Sequence, residues 1–533
     1  MLPNMLLDSV NLMEAPVPAH TARRSLLLLT VCLAVFAINL DTTIVNVALP
    51  TLAARLHAST GILQWVVDGY SLAFASLVLA GGSLGDRYGR RPTLLVGLGG
   101  FALASVAAGF STSAGELVAC RFVMGTFAAL IYPTTLSIIT NAYPDRGERA
   151  QAIGLWGAVT GLGVATGPVT GGLLLAHLAW GSVFFALAPV AVIATLMTVR
   201  CIPESRSESP ERLDRTGLAA SSATICLLVH TIIEAPTSGW ASAPTIAGFI
   251  ATVLTAAAFV VIERRQTHPI IDLLLFRVPA FSAASASVTV AFFALFGFIF
   301  LVTQYMQLVR GWGTLSTGLR ILPVAVAIGA GSALSPWLAT HFGTRRVVVT
   351  GLLAFGAAFA WIAGSPQDQP YTQMALEMIL MGVGLGLTTT PATESILSVL
   401  PAAKAGVGSA VNDATREAGG ALGVAVVGSI FTSLYLHHLA GTAVAHLPAE
   451  AAAAARRSVG AALAVTSRRA GHVALTHDVT ASFMHGFDLA CLAAAGVCLL
   501  GAIAALKLPG ATSPASEPVT PAPAPVAAPA PVG

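Results

Sequence analysis

Fourteen membrane-spanning helices and no strand are what this sequence predicts, on three observations. Only 10% of the 533 residues are charged, against about 25% in soluble domains, and the mean hydropathy is +0.80. Apolar runs near the roughly 20 residues needed to span a bilayer recur along nearly the whole chain. The arginines fall mainly in alternate gaps between those runs, as a multi-pass protein requires.

The runs lie at 26–48, 62–84, 93–111, 115–140, 151–175, 181–200, 216–235, 244–262, 281–303, 317–340, 347–363, 371–394, 404–435 and 482–507. The first follows Arg23-Arg24, is too long for a cleavable signal core and lacks a small-residue cleavage site before Asp41; it reads as a retained signal anchor. The second and third flank a charged loop, Gly85–Arg91. The fourth carries Arg121, and the fifth is rich in glycine around Pro168. The seventh and eighth, at 216–235 and 244–262, are the natural inserts between two halves. The tenth and eleventh flank a weaker copy of the charged loop: Leu84-(x)4-Gly89-Arg90-Arg91 is echoed by Leu338-(x)4-Gly343-Thr344-Arg345-Arg346. Equivalent loops eight helices apart imply two six-helix halves with two inserted helices, a recurring plan in transporters.

The expected layout is therefore a cytoplasmic tail at 1–24, a six-helix bundle at 25–200, two inserted helices at 216–262, a second six-helix bundle at 281–507, and an Ala/Pro-rich disordered tail at 508–533. Arg23/Arg24, Arg87/Arg90/Arg91, Arg146/Arg149, Arg206/Arg212/Arg215, Arg264/Arg265/Arg277, Arg345/Arg346 and Lys404 mark the cytoplasmic loops, with both termini on that side. Arg55 and Arg310 are exceptions. So is the outside loop 436–481, with Arg456, Arg457, Arg468 and Arg469; an amphipathic helix near Ala451–Val465 accounts for it, and an odd helix count is the competing explanation.

Composition also excludes functions. The net charge of +3 is mild and its arginines are dispersed, so nucleic acid is not an expected partner. The two lysines, Lys404 and Lys507, do not follow glycine, so there is no GxxxxGK[ST] phosphate loop. Cys32, Cys120, Cys201, Cys226, Cys491 and Cys498 lack metal-ligand spacing and read as small buried hydrophobes; no metal or cofactor is expected. No nucleophile elbow or metal cluster supports an enzyme.

Six constellations carry more chemistry than a membrane scaffold needs. Gly85, Asp86, Arg87, Gly89, Arg90 and Arg91 form a loop in which a turn and a positive anchor explain everything but the acid. Asp41, in Leu40–Pro50, is a carboxylate inside a span, where a charge costs about 2.5–3.5 kcal/mol and normally faces a cavity. Asp68, with Trp65 and Tyr70, lies on the antiparallel second helix at a similar depth, about 25–27 Å from the arginine ends. Two nearby acids in low dielectric should not both ionise freely, which suits a proton carrier; solvation of Asp68 at the outer mouth is the alternative. Arg121 needs a partner, Asp41 or Asp68, unless it snorkels to the interface. The fifth helix holds Gly154, Gly163, Gly167, Pro168, Gly171 and Gly172, a close-packing face with a proline kink. In the thirteenth helix, Arg416 shares a face with Asp413 and Asn412. Gln304, Tyr305 and Gln307 could line a cavity. His230 could titrate or be hydrogen-bonded. Glu234, Glu377 and Asp488 near outer helix ends and Glu394 at an inner end read as solvated.

The Gly85–Arg91 loop resembles the loop 2–3 signature of the major facilitator superfamily. Leu40–Pro50, the fifth-helix glycines and Asn412–Gly423 resemble the patterns of its fourteen-helix drug:proton antiporters, the EmrB/QacA type, and Arg121 matches the superfamily's fourth-helix arginine. Met124 stands where a glutamine is common. The resemblance covers about residues 25–507. It implies the major facilitator fold and proton-driven export of small amphipathic compounds, drug or antibiotic efflux, by alternating access. It implies proton coupling by Asp41, Asp68 and Arg121, and gating by the Gly85–Arg91 loop with Gly163, Gly167, Pro168, Gly171 and Gly172. Trp65, Tyr70, Gln304 and Arg416 are the expected substrate-cavity residues. The expected setting is a multi-pass monomer in the lipid bilayer of a bacterial inner membrane, the bacterial origin suggested by its Arg-over-Lys and Ala-rich usage. A periplasmic adaptor is conceivable in a two-membrane cell but unsupported by the sequence. A transporter of one metabolite is the second reading, and a non-transporting scaffold or sensor, which predicts a soluble signalling domain, the third.

Overall fold

The computed structural model describes residues 19–206, 214–266, 273–399, 405–467, 469 and 471–509. All regular elements among them are helical, and fourteen are long and apolar enough to cross a membrane. They are α1 (Arg23–Arg55), α2 (Thr60–Tyr88), α3 (Arg90–Gly109), α4 (Ala114–Ala142), α5 (Gln151–His177), α6 (Ser182–Cys201), α7 (Arg215–Ser238), α8 (Ala243–Arg265), α9 (Pro279–Val309), α10 (Thr314–Phe342), α11 (Thr344–Ala363), α12 (Tyr371–Ser398), α13 (Val411–Ala440) and α14 (His472–Ala505). Each predicted run has its helix. The expectations for residues 1–18, Arg212, Lys404, Arg468 and 510–533 fall outside the described residues.

Among the boundaries that differ from the expected ones, two have plain physical consequences. The helix α1 continues through Pro50 to Arg55, because Leu49 and Leu52 are fully buried and packing holds the last turn despite the missing donor. The helix α14 starts at His472 rather than 482, so the 436–481 segment is shorter as a loop than expected. Its amphipathic portion is two short helices, Ala449–Arg457 and Val459–Thr466, not one. They break at Ser458, which is extended (φ −160°, ψ 156°) and accepts a hydrogen bond from the Ala461 N–H at 3.2 Å.

The chain forms two compact units, 1–226 with 302–320 and 446–476, and 227–301 with 321–445 and 477–533. In the first, α2 lies along α4 and α1 along α5, while α3 packs on α4 and α6. The helix Val459–Thr466 rests on α1 and on a π-turn, Tyr305–Val309, that ends α9. In the second, α11 lies along α12. Phe281, Val288, Val348, Leu352, Ile396 and Val411, each at most 1% exposed, gather there into a core.

The internal repeat is visible within each unit. Gly89, between α2 and α3, has φ 105°, and Gly343, between α10 and α11, has φ 86°, both in the region that favours glycine. Two residues beyond each glycine an arginine donates to a carbonyl at the end of the sixth helix of its series. Arg91 reaches Val199 O at 2.6 Å, and Arg345 reaches Leu508 O at 2.7 Å. Close helix contacts repeat as well: a Cβ on Gly125 would lie 2.2 Å from Tyr70 O, and one on Gly382 would lie 2.4 Å from Val324 O.

Candidate functional site

Two helices of the first unit, α1 and α4, deliver charge to one buried place, and α2 closes over it. Asp41 sits midway along α1, whose Val31–Leu52 stretch is almost wholly buried. Arg121 sits seven residues after the start of α4, a helix begun by a capping box between Ser113 and Glu116. Arg121 Nη1 donates to Asp41 Oδ1 at 2.8 Å and to Oδ2 at 2.6 Å, and Nε donates to Val66 O at 2.8 Å. The guanidinium lies over the Tyr70 ring, 4.5 Å from its centroid. Neither charged side chain touches solvent: Arg121 is 1% exposed and Asp41 0%. Of the two acids expected as partners for Arg121, Asp41 is the one it binds, and Arg121 does not snorkel.

Asp68 is placed differently. It is 0% exposed, and neither carboxylate oxygen has a hydrogen-bond partner among the described residues. Solvation at a helix mouth does not describe it. Val66 and Tyr70 both meet Arg121, and Asp68 is two residues from each, about 200° around the helix. The periodicity that puts Val66 and Tyr70 on the arginine turns Asp68 away from it. The unit thus holds one neutralised carboxylate and one bare carboxylate.

The helices carrying these groups are held close by α5. A Cβ on Gly163 would lie 3.0 Å from Phe36 O, and one on Gly167 would lie 2.0 Å from Thr43 Oγ1. Thr43 Oγ1 donates to Val164 O at 2.9 Å, stitching α1 to α5 two residues from Asp41. Gly171 packs on Ile44 in the same way. Gly154 does not belong to this face, since a Cβ there would meet nothing within 4 Å. Beyond Pro168, Thr314 Oγ1 donates to Gly172 O at 3.1 Å, and a Cβ on Gly318 would lie 2.1 Å from Pro168 O. Gln307 Nε2 donates to Val47 O at 2.9 Å from the π-turn, while Gln304 and Tyr305 are buried. Π-turns often mark functional positions.

The charged loop closes on itself and on α6. Asp86 Oδ1 accepts from Arg90 Nε at 3.1 Å and Nη2 at 2.9 Å. The Arg90 N–H donates to Ser205 O at 2.8 Å, Arg91 takes Val199 O, and Gly85 packs on Thr134 of α4. Arg87 lies over the Tyr88 ring at 5.8 Å. Trp65 is half-buried, 6.0 Å from Phe122.

The remaining sequence candidates stand apart from this cluster. In the second unit Arg416 lies 3.9 Å from Asp413 and 4.5 Å over the Phe292 ring, while Asn412 accepts from Thr393 instead. His230, Glu234 and Glu394 are exposed, and Asp488 is half-buried. Glu377 corrects the expectation of solvation: it is 1% exposed and accepts from Ser365 Oγ at 2.6 Å and from Gln369 and Gln373 Nε2, both at 3.2 Å. Ser365 and Gln369 of the loop before α12, with Gln373 of its first turn, close over the carboxylate, which linear position could not show. One residue was overlooked. Arg320, six residues into α10, is an intramembrane cation stacked 4.3 Å over the Trp312 ring. Its position inside an apolar run was the signal.

A sequence model of the Major Facilitator Superfamily matches residues 31–424. The multidrug efflux pump LfrA of Mycolicibacterium smegmatis is 35% identical over 85% of this chain and 89% of its own length. The tetracenomycin C resistance and export protein of Streptomyces glaucescens is 34% identical over 90% of each. Among solved structures, an inward-facing, occupied bacterial homologue of the human lysosomal transporter Spinster superposes with a TM-score of 0.64 at 17% identity, covering 90% of this chain and 96% of that one. A D-xylose–proton symporter gives 0.57 at 14% identity, covering 91% and 98%. The chain belongs to the Major Facilitator Superfamily and has its all-α, polytopic membrane fold.

Proposed function

We propose that this protein exports small amphipathic compounds, drugs or antibiotics, in exchange for protons, by alternating access. The observation that carries the proposal is the pairing of a neutralised acid with a bare one. Asp41 is held by Arg121, while Asp68 is fully buried with no hydrogen-bond partner among the described residues. A carboxylate out of water and without a donor carries a desolvation cost that a bound proton or a bound cation relieves. Two ligands that relieve the same cost compete, and competition for one group is what couples an outward step to an inward one. The names of the relatives, a multidrug efflux pump and an antibiotic export protein, support the direction and the substrate class.

In this reading Asp68 is the exchange site and the Asp41–Arg121 pair is the coupling element. A proton passing to Asp41 loosens Arg121 from α1 while Val66 O and the Tyr70 ring keep it on α2. The glycine face of α5, Gly163, Gly167 and Gly171, lets α1 shift without side-chain obstruction. The Asp86–Arg90 pair and the Arg91–Val199 bond latch the arginine end, and the Thr314–Gly172 and Gln307–Val47 bonds latch the opposite end. Trp65, half-buried, offers an aromatic face to substrate. The protein works as a monomer in a bacterial inner membrane, arginine ends cytoplasmic, and acts as a transporter rather than an enzyme.

Everted membrane vesicles energised by respiration, with a pH-sensitive dye, test this. Cationic dyes and antibiotics are added in turn. A substrate should dissipate the gradient with the wild-type protein and not with Asp68→Asn. Dissipation by Asp68→Asn equal to wild type removes Asp68 from the exchange role.

A further inference from the structure

Half of the chain's twelve histidines, His437, His438, His446, His472, His477 and His485, fall between residues 437 and 485, around the junction of α13 and α14. None belongs to the site above, and no grouping of ligands there suits a metal ion among the described residues. Two of them touch. The rings of His438 on α13 and His485 on α14 are 5.0 Å apart between centroids, with 34° between their planes. They form one rung between the two helices. The rung beneath is apolar: Phe431 of α13 packs edge-on to Phe483 of α14 at 5.0 Å, and Phe483 stacks on Phe487 of the same helix at 5.9 Å.

Proton accounting fixes the state of this rung. Ser482 is fully buried and its hydroxyl donates to Asp478 O at 2.7 Å. A hydroxyl has one proton, so at 3.0 Å from His438 Nδ1 the Ser482 oxygen accepts, and His438 carries its hydrogen on Nδ1. The Asp478 carboxylate, one turn away, accepts from the Ala443 N–H at 3.3 Å and so ties the rung to the turn that follows α13. The other titratable groups on these stretches of the two helices are His437 on α13 and His477, Asp478 and Asp488 on α14; Asp478 and Asp488 lie seven residues before and three after His485. His485 is exposed and His438 half-buried, so protons reach both rings.

We propose that the His438–His485 rung is an acid-sensitive latch between the ends of α13 and α14. Two neutral imidazoles pack against each other without repulsion, and so does one neutral ring with one charged ring. A second proton puts two like charges face to face at contact distance. The rings then separate, the His438–Ser482 bond breaks, and the 441–445 turn loosens. The Phe431–Phe483 rung carries no charge and holds the helices together below, so the opening is confined to this end. Imidazole is the side chain that changes charge between about pH 5 and 8, so the latch is closed at neutral pH and opens in acid. In the orientation proposed above this end faces the medium outside the cell. The latch itself depends neither on that orientation nor on what is transported.

Hydrogen exchange on the purified full-length protein in detergent tests it, at about pH 8 and about pH 5, with rates corrected for the intrinsic effect of pH. Exchange at 436–445 should rise roughly tenfold in acid, while the 424–431 stretch of α13 stays protected. The rise should vanish in His485→Gln, an exposed position that folding tolerates, and in His438→Gln. It should persist in His477→Gln. A wild-type protein with no acid response, or a full response in His485→Gln, overturns the proposal. A response lost equally in His477→Gln does so too, because the sensing group would then lie elsewhere.

Discussion

Arg121 of α4 grips both carboxylate oxygens of Asp41 on α1 through one nitrogen, at 2.8 and 2.6 Å, in a place neither residue shares with solvent. Asp68, similarly deep and equally buried, is turned off that arginine by two residues of helix. Most of what can be tested about this protein follows from that asymmetry.

Removing one partner of the pair leaves a buried charge uncompensated. Arg121→Ala should destabilise the protein by about 3–5 kcal/mol, seen as a lower melting temperature in detergent. Replacing both partners, Asp41→Leu with Arg121→Met, should recover much of that loss. Efflux should be absent from both variants. A double variant as unstable as the single would show that the loss lies in packing rather than in charge.

Asp68 should behave in the opposite sense. Asp68→Asn replaces a buried carboxyl group that has no described partner by a neutral amide of the same shape, so the melting temperature should hold or rise. The response of efflux to a pH gradient should disappear. Stability and coupling measured on the same preparation separate this outcome from misfolding.

Contact between α1 and α5 depends on Gly167, where a Cβ would meet Thr43 Oγ1 at 2.0 Å. Gly167→Ala should cost about 1–3 kcal/mol by overpacking and slow efflux. Thr43→Ala in the same chain should restore much of both. Rescue by Thr43→Ala is the decisive readout, because a glycine needed only for backbone freedom would not be rescued.

The repeated loops give a matched pair. Arg91→Ala and Arg345→Ala each lose one hydrogen bond to the end of a sixth helix, worth about 1 kcal/mol. The two losses should be similar and additive, because the residues lie in separate units. Melting temperatures of the singles and the double variant check this.

Orientation is testable by labelling. With a membrane-impermeant maleimide, Glu450→Cys should react in intact cells, and Tyr88→Cys only after permeabilisation. Both positions are exposed. The reverse pattern would place the arginine ends outside.

The number, order and approximate limits of the fourteen helices were legible in the sequence, because a bilayer demands about 20 apolar residues per crossing and tolerates charge only where it is used. The repeat was legible too, since Gly89 and Gly343 are needed at the same tight corner. The same rules flagged Asp41, Asp68 and Arg121. What they could not give is which acid meets the arginine. Depth along a helix follows from counting residues, but the direction a side chain faces follows from how each helix is rotated against its neighbours, and packing across α1, α2, α4 and α5 sets that rotation. Only the tertiary structure paired Asp41 with Arg121 and left Asp68 bare. Only it buried Glu377 under a loop that reads as polar and exposed, and brought His438 and His485, 47 residues apart in sequence, into contact. Apolar periodicity encodes that a helix is buried, while long-range pairing is decided by which neighbours fill the space.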